Sequence, residues 1–394
     1  MVDAEVTGLD RQTAHCLSFN DPHGIATGSR ADLLQSQSVL RPTDQWLGRV
    51  VDGLGRPIDN KGPLPVGPAA RPFKADPPAA ADRTRVGRRL ETGIRALDMF
   101  APLCRGQRLG LFAGSGVGKS TLLSNLARGV EADVVVIALI GERGRELREF
   151  VEKTLGTEGM KRAVIVTATS DRSPLIRRRC AWAAMAVAEH FRDQGRHVLL
   201  LADSITRFAE AHREIALAAG EPPSYRGFPP SVSNLIMALA ERAGPGLDGS
   251  GDITGIFSVL VAGSDMEEPV ADILRGTLDG HVVLDRAIAE RGRFPAVDVV
   301  RSVSRSLPDA ATPEENAMIA KARGAMGAYA ESELMIRAGL YAPGSDPRLD
   351  EAVRLYPQLD DFVALSGNSI AQSFERLSEA LRLPQAARPA RRAG

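Results

Sequence analysis

The segment Gly110–Ser120, "GLFAGSGVGKS", limits most tightly what this chain can fold into. A short apolar run, "RLGLF", stops at a loop in which Gly114, Gly116 and Gly118 alternate with Ser115 and Val117, and "STLLSNLARGV" continues at helical spacing. Glycine at alternate positions removes Cβ atoms from a tight turn where a strand becomes a helix. The backbone N–H groups of residues 114–118 can then converge on phosphate oxygens, helped by the free donors of the helix N-terminus. Lys119 would reach the outer phosphates, the Ser120 hydroxyl would ligate Mg²⁺, and Thr121 completes the phosphate-side turn. A glycine-rich turn can merely join two elements, but strand, Lys-Ser pair and helix occur together here. The general pattern for such a loop has glycine where this chain has Ala113, so a strict match fails by one residue.

A phosphate loop needs a carboxylate to hold its metal through water. Asp203 closes "HVLLLAD", one of several apolar runs with "DVVVIALIG" (Asp133–Gly141), "AVIVTAT" and "ITGIFSVLVAG". Unalternated apolar runs separated by helix-length segments indicate a parallel sheet covered on both faces. Ligands of such a sheet gather at the carboxyl ends of its strands, where Asp203 falls. The alternative is that Asp203 only caps the helix "SITRFAEAHREI". Glu142, after the strand Val134–Ile140, could face the terminal phosphate and orient a water; equally, it could form a surface ion pair with Arg143 or Arg145. Glu146 and Glu149 read as solvent-side helix residues.

A chain of 394 residues exceeds one ordinary core. Residues 1–75 carry short β-like stretches, including "LGRVVDGLGRPID", and lead into a proline- and glycine-rich crossing between Asn60 and Asp82. Residues 76–310 hold the α/β pattern. Within them "CAWAAMAVAEHFRDQG" reads as a packing helix ended by Gly195, and "RSPLIRRRC" as a basic, solvated helix or subunit face. Residues 311–394 are helical: Thr312, Pro313 and Glu315 have the spacing of a capping box, "SDPRLDEAVRLYPQLDDFV" and "SIAQSFERLSEALRL" follow, and "PQAARPARRAG" reads as a frayed tail. Lys+Arg and Asp+Glu both number 49, which gives no general attraction for nucleic acid. Cys16, Cys104 and Cys180 have no paired spacing, and the histidines form no HExxH pattern, which argues against a disulfide scaffold or zinc site. No apolar run approaches a membrane span, and the acidic N-terminus is not a signal peptide, so a cytoplasmic or peripheral location is expected.

Together, "GLFAGSGVGKS", "IGERGRE", "LLLADSITRFAEAHRE", "GEPPSYRGFPPSV", "DILRGTLDGHVVL" and "RFPAVDVVRSVSR" resemble the export ATPases of bacterial flagella and type III secretion systems. These are relatives of the catalytic β subunit of F-type ATP synthase. The resemblance runs from about Leu47 almost to the C-terminus, and alanine at position 113 is typical of the export branch. It implies a RecA-like core with a C-terminal helical domain, ATP and ADP as ligands, and Mg²⁺. It implies that Glu142 activates water, that Arg143 is an active-site arginine, that Asp203 is the metal-side carboxylate and that Arg207 lies near the nucleotide. It implies a hexameric ring in which Arg305 reaches a neighbour's site as an arginine finger. Tyr341 and Phe362 fall in the zone of the adenine pocket. The expected partners are identical subunits, export-gate membrane proteins, regulator or stalk proteins, substrates and chaperones, with no nucleic acid. The enzyme would act at the inner-membrane export apparatus.

Such enzymes begin with a β-barrel crown. Too few residues precede "LGRVVDGLGRPID" to close one, so an incomplete barrel remnant is expected, and the chain could remain monomeric. Three alternatives stand beside the export reading: a rotary ATP synthase subunit, a hexameric RNA-translocating helicase, and a non-catalytic ring scaffold. "FAGSGVGKS" and "FPPSV" speak against the first. No aromatic platform for stacking bases of a strand supports the second. The Lys119–Glu142–Asp203 set speaks against the third.

Overall fold

A computed structural model of the chain describes residues 1–34, 38–261, 265–367 and 369–381; the tail "PQAARPARRAG" lies outside them. The chain opens with β1 (Ala4–Asp10) and β2 (Thr13–Ser18), an antiparallel hairpin. Strand β3 (Val39–Leu40) follows, then β4 (Val50–Asp52), and then β5 (Arg71–Pro72), which pairs with β3. Among the described residues this N-terminal part forms no closed barrel. The valines of "LGRVVDGLGRPID" do not belong to a barrel remnant either: β4 lies parallel to β8 (Ala163–Thr169) at the edge of the main sheet. Val51 is fully buried there, while Asp59 holds the approach to β4, accepting from Arg49 (2.7 and 2.9 Å) and the Val50 N–H (3.0 Å). The sheet thus recruits a strand from before the crossing segment, across the boundary expected near residue 75.

The remaining strands of the sheet are β6 (Arg108–Ala113), β7 (Val134–Glu142), β9 (Val198–Asp203), β10 (Ile253–Leu260), β11 (Gly280–Leu284) and β12 (Val297–Ser304). Their spatial order is β12-β11-β6-β10-β9-β7-β8-β4, all parallel except β12, which runs antiparallel to β11. The expected apolar runs supply β6 to β10. The reason for their unbroken hydrophobicity is visible in β7: Val134, Val136, Ala138 and Ile140 enter one core cluster, and Val135, Ile137 and Leu139 enter another. A strand buried on both faces has no position to leave polar.

Helices cover both faces. After α1 (Lys119–Gly129), α2 (Gly144–Glu149) and α3 (Gly156–Met160), the long α4 (Pro174–Arg192) packs on β7 and β8, followed by α5 (Ile205–Ala218) and α6 (Ser231–Glu241). Helix α4 starts at Pro174, earlier than the alanine-rich segment, so "RSPLIRRRC" forms its first turns. That run is not the solvated face expected. Arg178, only 6% exposed, packs over Trp182 and pairs with Glu5 (2.9 Å), Arg179 reaches the same carboxylate (2.7 Å), and Arg177 pairs with Glu214 (2.9 Å). Glu5 and Glu214, distant in sequence, are what allow these cations to be covered.

Helices α7 (Pro269–Thr277) and α8 (Arg286–Glu290) flank β11. The C-terminal helices are α9 (Pro313–Arg337), α10 (Pro347–Ala364) and α11 (Ile370–Leu381). Thr312 and Glu315 form the expected capping box. Arg323 of α9 fixes this unit to the core by donating to the carbonyls of Ser302 (3.0 Å) and Phe100 (2.6 Å).

The crossing segment is held by a buried charge pair. Glu189 of α4 accepts from Arg242 Nε (2.8 Å) and Nη2 (2.7 Å), while Arg242 Nη1 donates to the Phe73 carbonyl (2.6 Å). Both side chains are almost fully buried, so removing the carboxylate leaves an uncompensated cation in the core. Glu189→Ala is expected to lower unfolding free energy by about 3–5 kcal/mol, read as a drop in the urea midpoint. A midpoint within error of wild type would show the pair does not anchor the segment.

Candidate active site

The glycine loop leaves β6 at Ala113 and enters α1 at Lys119. Gly116 and Gly118 adopt φ of +78° and +92°, values that L side chains rarely take. Gly118 is the N-cap of α1 and, having no side chain, offers no cap to the N–H groups of the first turn. Those donors are left for an exogenous acceptor. Val117 is buried and pins the loop to the core, whereas Ser115, Gly116, Ser120 and Thr121 are exposed.

Lys119 folds back to form an ion pair with Asp203, both side chains at most a tenth exposed. The expected convergence of the loop and the tip of β9 is therefore present. Strand β10 lies between β6 and β9, and its buried Ser258 donates to Asp203 Oδ1 (2.6 Å), fixing the carboxylate's rotation. Asp203 is not the helix cap of the alternative reading. Ser204 fills that role for α5, accepting from the Arg207 N–H.

Glu142 ends β7 next to this pair. Its carboxyl is pushed up to about 7, first by burial and then by the charge of Asp203, with Lys119 opposing and a hydrogen bond to Glu146 adding to the rise. No ion pair links Glu142 to Arg143 or Arg145, both exposed; Arg143 is the N-cap of α2. Glu146 is half-buried against Glu142 rather than solvent-side, because the short turn of α2 returns it to the site. Glu149 is exposed, as expected. The stem of Arg207 lies against Gly141, where an added Cβ would come within 3.2 Å of it, and its guanidinium pairs with Glu210 (2.8 Å).

Two residues expected in the zone of the base, Tyr341 and Phe362, have other partners. Tyr341 bonds to Asp350 at the start of α10, and Phe362 is buried with Arg95 stacked on its ring. The aromatic ring that meets the loop is Phe294, which sequence reasoning passed over: it is 51% exposed, and a Cβ at Gly118 would lie 3.5 Å from its edge. The signal was an aromatic residue in "RGRFP", where a turn rather than a core is written. Ser258 was also missed, although a lone hydroxyl inside the apolar run "GIFSVLV" needs a buried partner. Arg305 sits just past β12, its N–H donating to the Asp279 carbonyl (2.9 Å) beside Arg108, the first residue of β6. The glycine loop leaves the other end of β6. Five residue steps of strand therefore separate them, about 16 Å, and one subunit does not unite Arg305 with Lys119.

The parallel sheet, glycine loop and strand-end carboxylates define a RecA-like P-loop nucleotide-binding protein. Residues 93–304 match the ATP synthase alpha/beta family nucleotide-binding domain, and residues 311–379 match the T3SS EscN ATPase C-terminal domain. The chain is 50% identical over 386 residues to the flagellum-specific ATP synthase of Caulobacter vibrioides, covering 96% of this chain and 87% of that protein. It is 44% identical over 369 residues to the flagellum-specific ATP synthase of Salmonella typhimurium, covering 92% and 81%. Its structure resembles the assembled ATPase EscN of the enteropathogenic E. coli type III secretion system, with a TM-score of 0.91 and 39% identity over 96% of this chain and 92% of that one. EscN has also been solved in complex with its central stalk EscO, which this chain matches with a TM-score of 0.86 at 39% identity over the same shares of both chains. The chain belongs to the ATP synthase alpha/beta family, in its flagellar and type III secretion branch, and is an ATP-hydrolysing enzyme of the export type. The helicase and synthase alternatives are not favoured by these relatives.

The raised Glu142 carboxyl has a consequence for the nucleotide-free protein. Its folded pKa, about 7, exceeds the ordinary 4.5, so between these values the folded state holds more protons than the unfolded one. Stability must then fall as pH rises through that window. Glu142→Gln should abolish this component: the variant is expected to gain stability relative to wild type between pH 4.5 and 7, measured by urea unfolding. A constant difference across the window would mean that Glu142 ionises normally.

Proposed function

We propose that the chain hydrolyses ATP with Mg²⁺ as part of a homo-oligomeric ring, hexameric in the active form, and energises bacterial protein export through a flagellar or type III apparatus. The observation that carries this reading is the meeting of Lys119 and Asp203 beside Glu142 at the uncapped N-terminus of α1. The donor set fits a triphosphate: free N–H groups, a lysine, and an exposed hydroxyl at Ser120. It also fits Mg²⁺, which takes one or two carboxylates and keeps several waters; Ser120 and Asp203 are the residues that would hold it, Asp203 through water. Mg²⁺, when bound, neutralises charge on the β- and γ-phosphate oxygens.

On this reading the amides of Gly114–Gly118 bind the phosphates, with Ser115, Val117 and Thr121 shaping the cradle. Lys119 exchanges the Asp203 carboxylate for phosphate oxygens, which frees Asp203 for the metal's waters. Glu142, in its ionised form, orients the attacking water and accepts its proton as ADP and phosphate form. Arg143 and Arg207 stand at the rim, where they can meet product or nucleotide charge. The exposed face of Phe294 supports the base. Arg305 completes the site of a neighbouring subunit, because its own lies at the far end of the sheet. The central stalk reported with EscN suggests a stalk partner here. Export-gate proteins, substrates and chaperones would meet the ring at the cytoplasmic face of the inner membrane. Among the described residues no helix is long and apolar enough to cross a membrane, which accords with a peripheral role.

Two variants test this assignment. Glu142→Gln is expected to lower kcat for ATP by about 100-fold or more while leaving nucleotide affinity nearly unchanged; loss of affinity with an intact fold would show that Glu142 serves binding instead. Arg305→Ala is expected to remove the rise in specific activity with protein concentration while sparing the dilute rate. Equal loss at both extremes would place Arg305 outside the neighbour's site.

A further inference from the structure

Phe294 is not held in place by the ATPase core alone. It lies in the turn Arg291-Gly292-Arg293-Phe294-Pro295, and the two arginines of that turn point to different C-terminal helices. Arg291 Nη1 donates to Glu333 Oε1 of α9 (2.9 Å). Arg293, only 8% exposed, places Nε 3.2 Å from Asp360 Oδ1 of α10 as an ion pair. The same Arg293 donates through Nη1 to the carbonyls of Pro295 (2.8 Å) and Val297 (2.9 Å), the residues just beyond Phe294. Asp360 is held in turn by the Tyr356 hydroxyl (3.5 Å), whose ring stacks on Tyr329 of α9 at 3.7 Å. A cavity of about 390 Å³ beside these contacts is lined by Arg291 and Arg293 of the turn and by Tyr329, Glu333 and Tyr356 of the helices.

We propose that Arg293 and Asp360 are positioning residues that set Phe294 over Gly118, so that the C-terminal helices govern recognition of the nucleotide base. The inference rests on the reading of Phe294 as the base support. A buried guanidinium requires a counter-charge in contact. Without Asp360 the arginine turns toward water, its hold on the Pro295 and Val297 carbonyls loosens, and the Phe294 ring just before them loses its fixed place. The phosphate cradle, built from β6 and α1, has no part in this linkage. The consequence is selective: the contribution of the base weakens and that of the phosphates does not. A partner that shifts α10 relative to the core would alter nucleotide affinity by the same route.

The test compares a ligand that has the base with one that lacks it. A non-hydrolysable ATP analogue and inorganic tripolyphosphate, each with Mg²⁺, are titrated calorimetrically against the full chain and its variants. Phe294→Ala and Asp360→Asn are each expected to weaken the analogue about tenfold or more, the scale of lost base–aromatic stacking. Tripolyphosphate should stay within about twofold, and the double variant should be no weaker than either single one, since both act on one element. Asp360→Glu should restore most of the affinity. Equal weakening of both ligands by Asp360→Asn, no weakening of either, or additive losses in the double variant would overturn the proposal. If Phe294→Ala removes the analogue's advantage and Asp360→Asn does not, the linkage fails and the base support stands. If Phe294→Ala leaves that advantage intact, the base support fails and the linkage with it. Should Asp360→Asn not fold, Glu333→Gln at the half-exposed Arg291 contact replaces it, with a smaller selective loss expected; no selective loss there overturns the proposal.

Discussion

The ion pair between Lys119 and Asp203 is the constraint around which the site is built. Each charge is nearly buried, and neither could be so without the other, because an isolated charge in such surroundings is strongly disfavoured. Their meeting requires that β9 end near the level of β6 with a single strand between them, which the order β6-β10-β9 and its register provide. It also requires that the carboxylate not rotate away, which Ser258 prevents. On the proposed reading, a ligand rich in negative oxygens would replace Asp203 as the partner of Lys119 without leaving the lysine unpaired, and it would release a carboxylate at the mouth of the loop. Glu142 feels the same exchange. Its raised carboxyl depends on burial and on the neighbouring Asp203 charge, so a bound cation beside Asp203 would favour its ionised form.

What could be read in advance follows from how local the cause is. The strands β6 to β10 are legible because burial on both faces forces apolar residues at most positions, and the glycine loop because its backbone geometry admits little else. The capping box at Thr312 is legible for the same reason, since donor and acceptor lie three residues apart. Strand β4 was assigned to another unit because three residues carry no period and their partner, β8, lies more than a hundred residues on. The choice between Glu142 as a site residue and as a surface ion pair was undecidable locally. It turns on Asp203 and Lys119, which come from other strands. Phe294 escaped notice for a related reason: aromatic identity is readable, but only the return of the β11–β12 connection brings this ring against Gly118.

The zero net charge conceals a structural use of arginine. Arg242, Arg323, Arg293 and Arg178 each join segments remote in sequence, through carbonyls, carboxylates or an aromatic face. Arginine suits this work because its planar fork serves two or three acceptors at once and stays charged when covered. A basic run in such a chain is therefore poor grounds for a nucleic-acid surface, as the first turns of α4 illustrate. These links are also directional. The arginines of the 291–295 turn join the C-terminal helices to the nucleotide side of the core, whereas Arg242 joins the N-terminal crossing to its back.

Arg305 gives the proposed ring its reason. The last strand, β12, runs antiparallel to its neighbour, so it carries its C-terminal residue to the end of the sheet opposite the glycine loop. A guanidinium there cannot serve its own site; on the proposed reading, identical subunits repeated head to tail bring that end of one sheet toward the loop of the next. The antiparallel turn of one edge strand thus separates, within a single chain, the cradle that binds the triphosphate from the cation that would stabilise its cleavage. On the proposed reading, turnover then reports assembly: a subunit alone binds nucleotide, and a subunit with a neighbour has the full set of charges for hydrolysis.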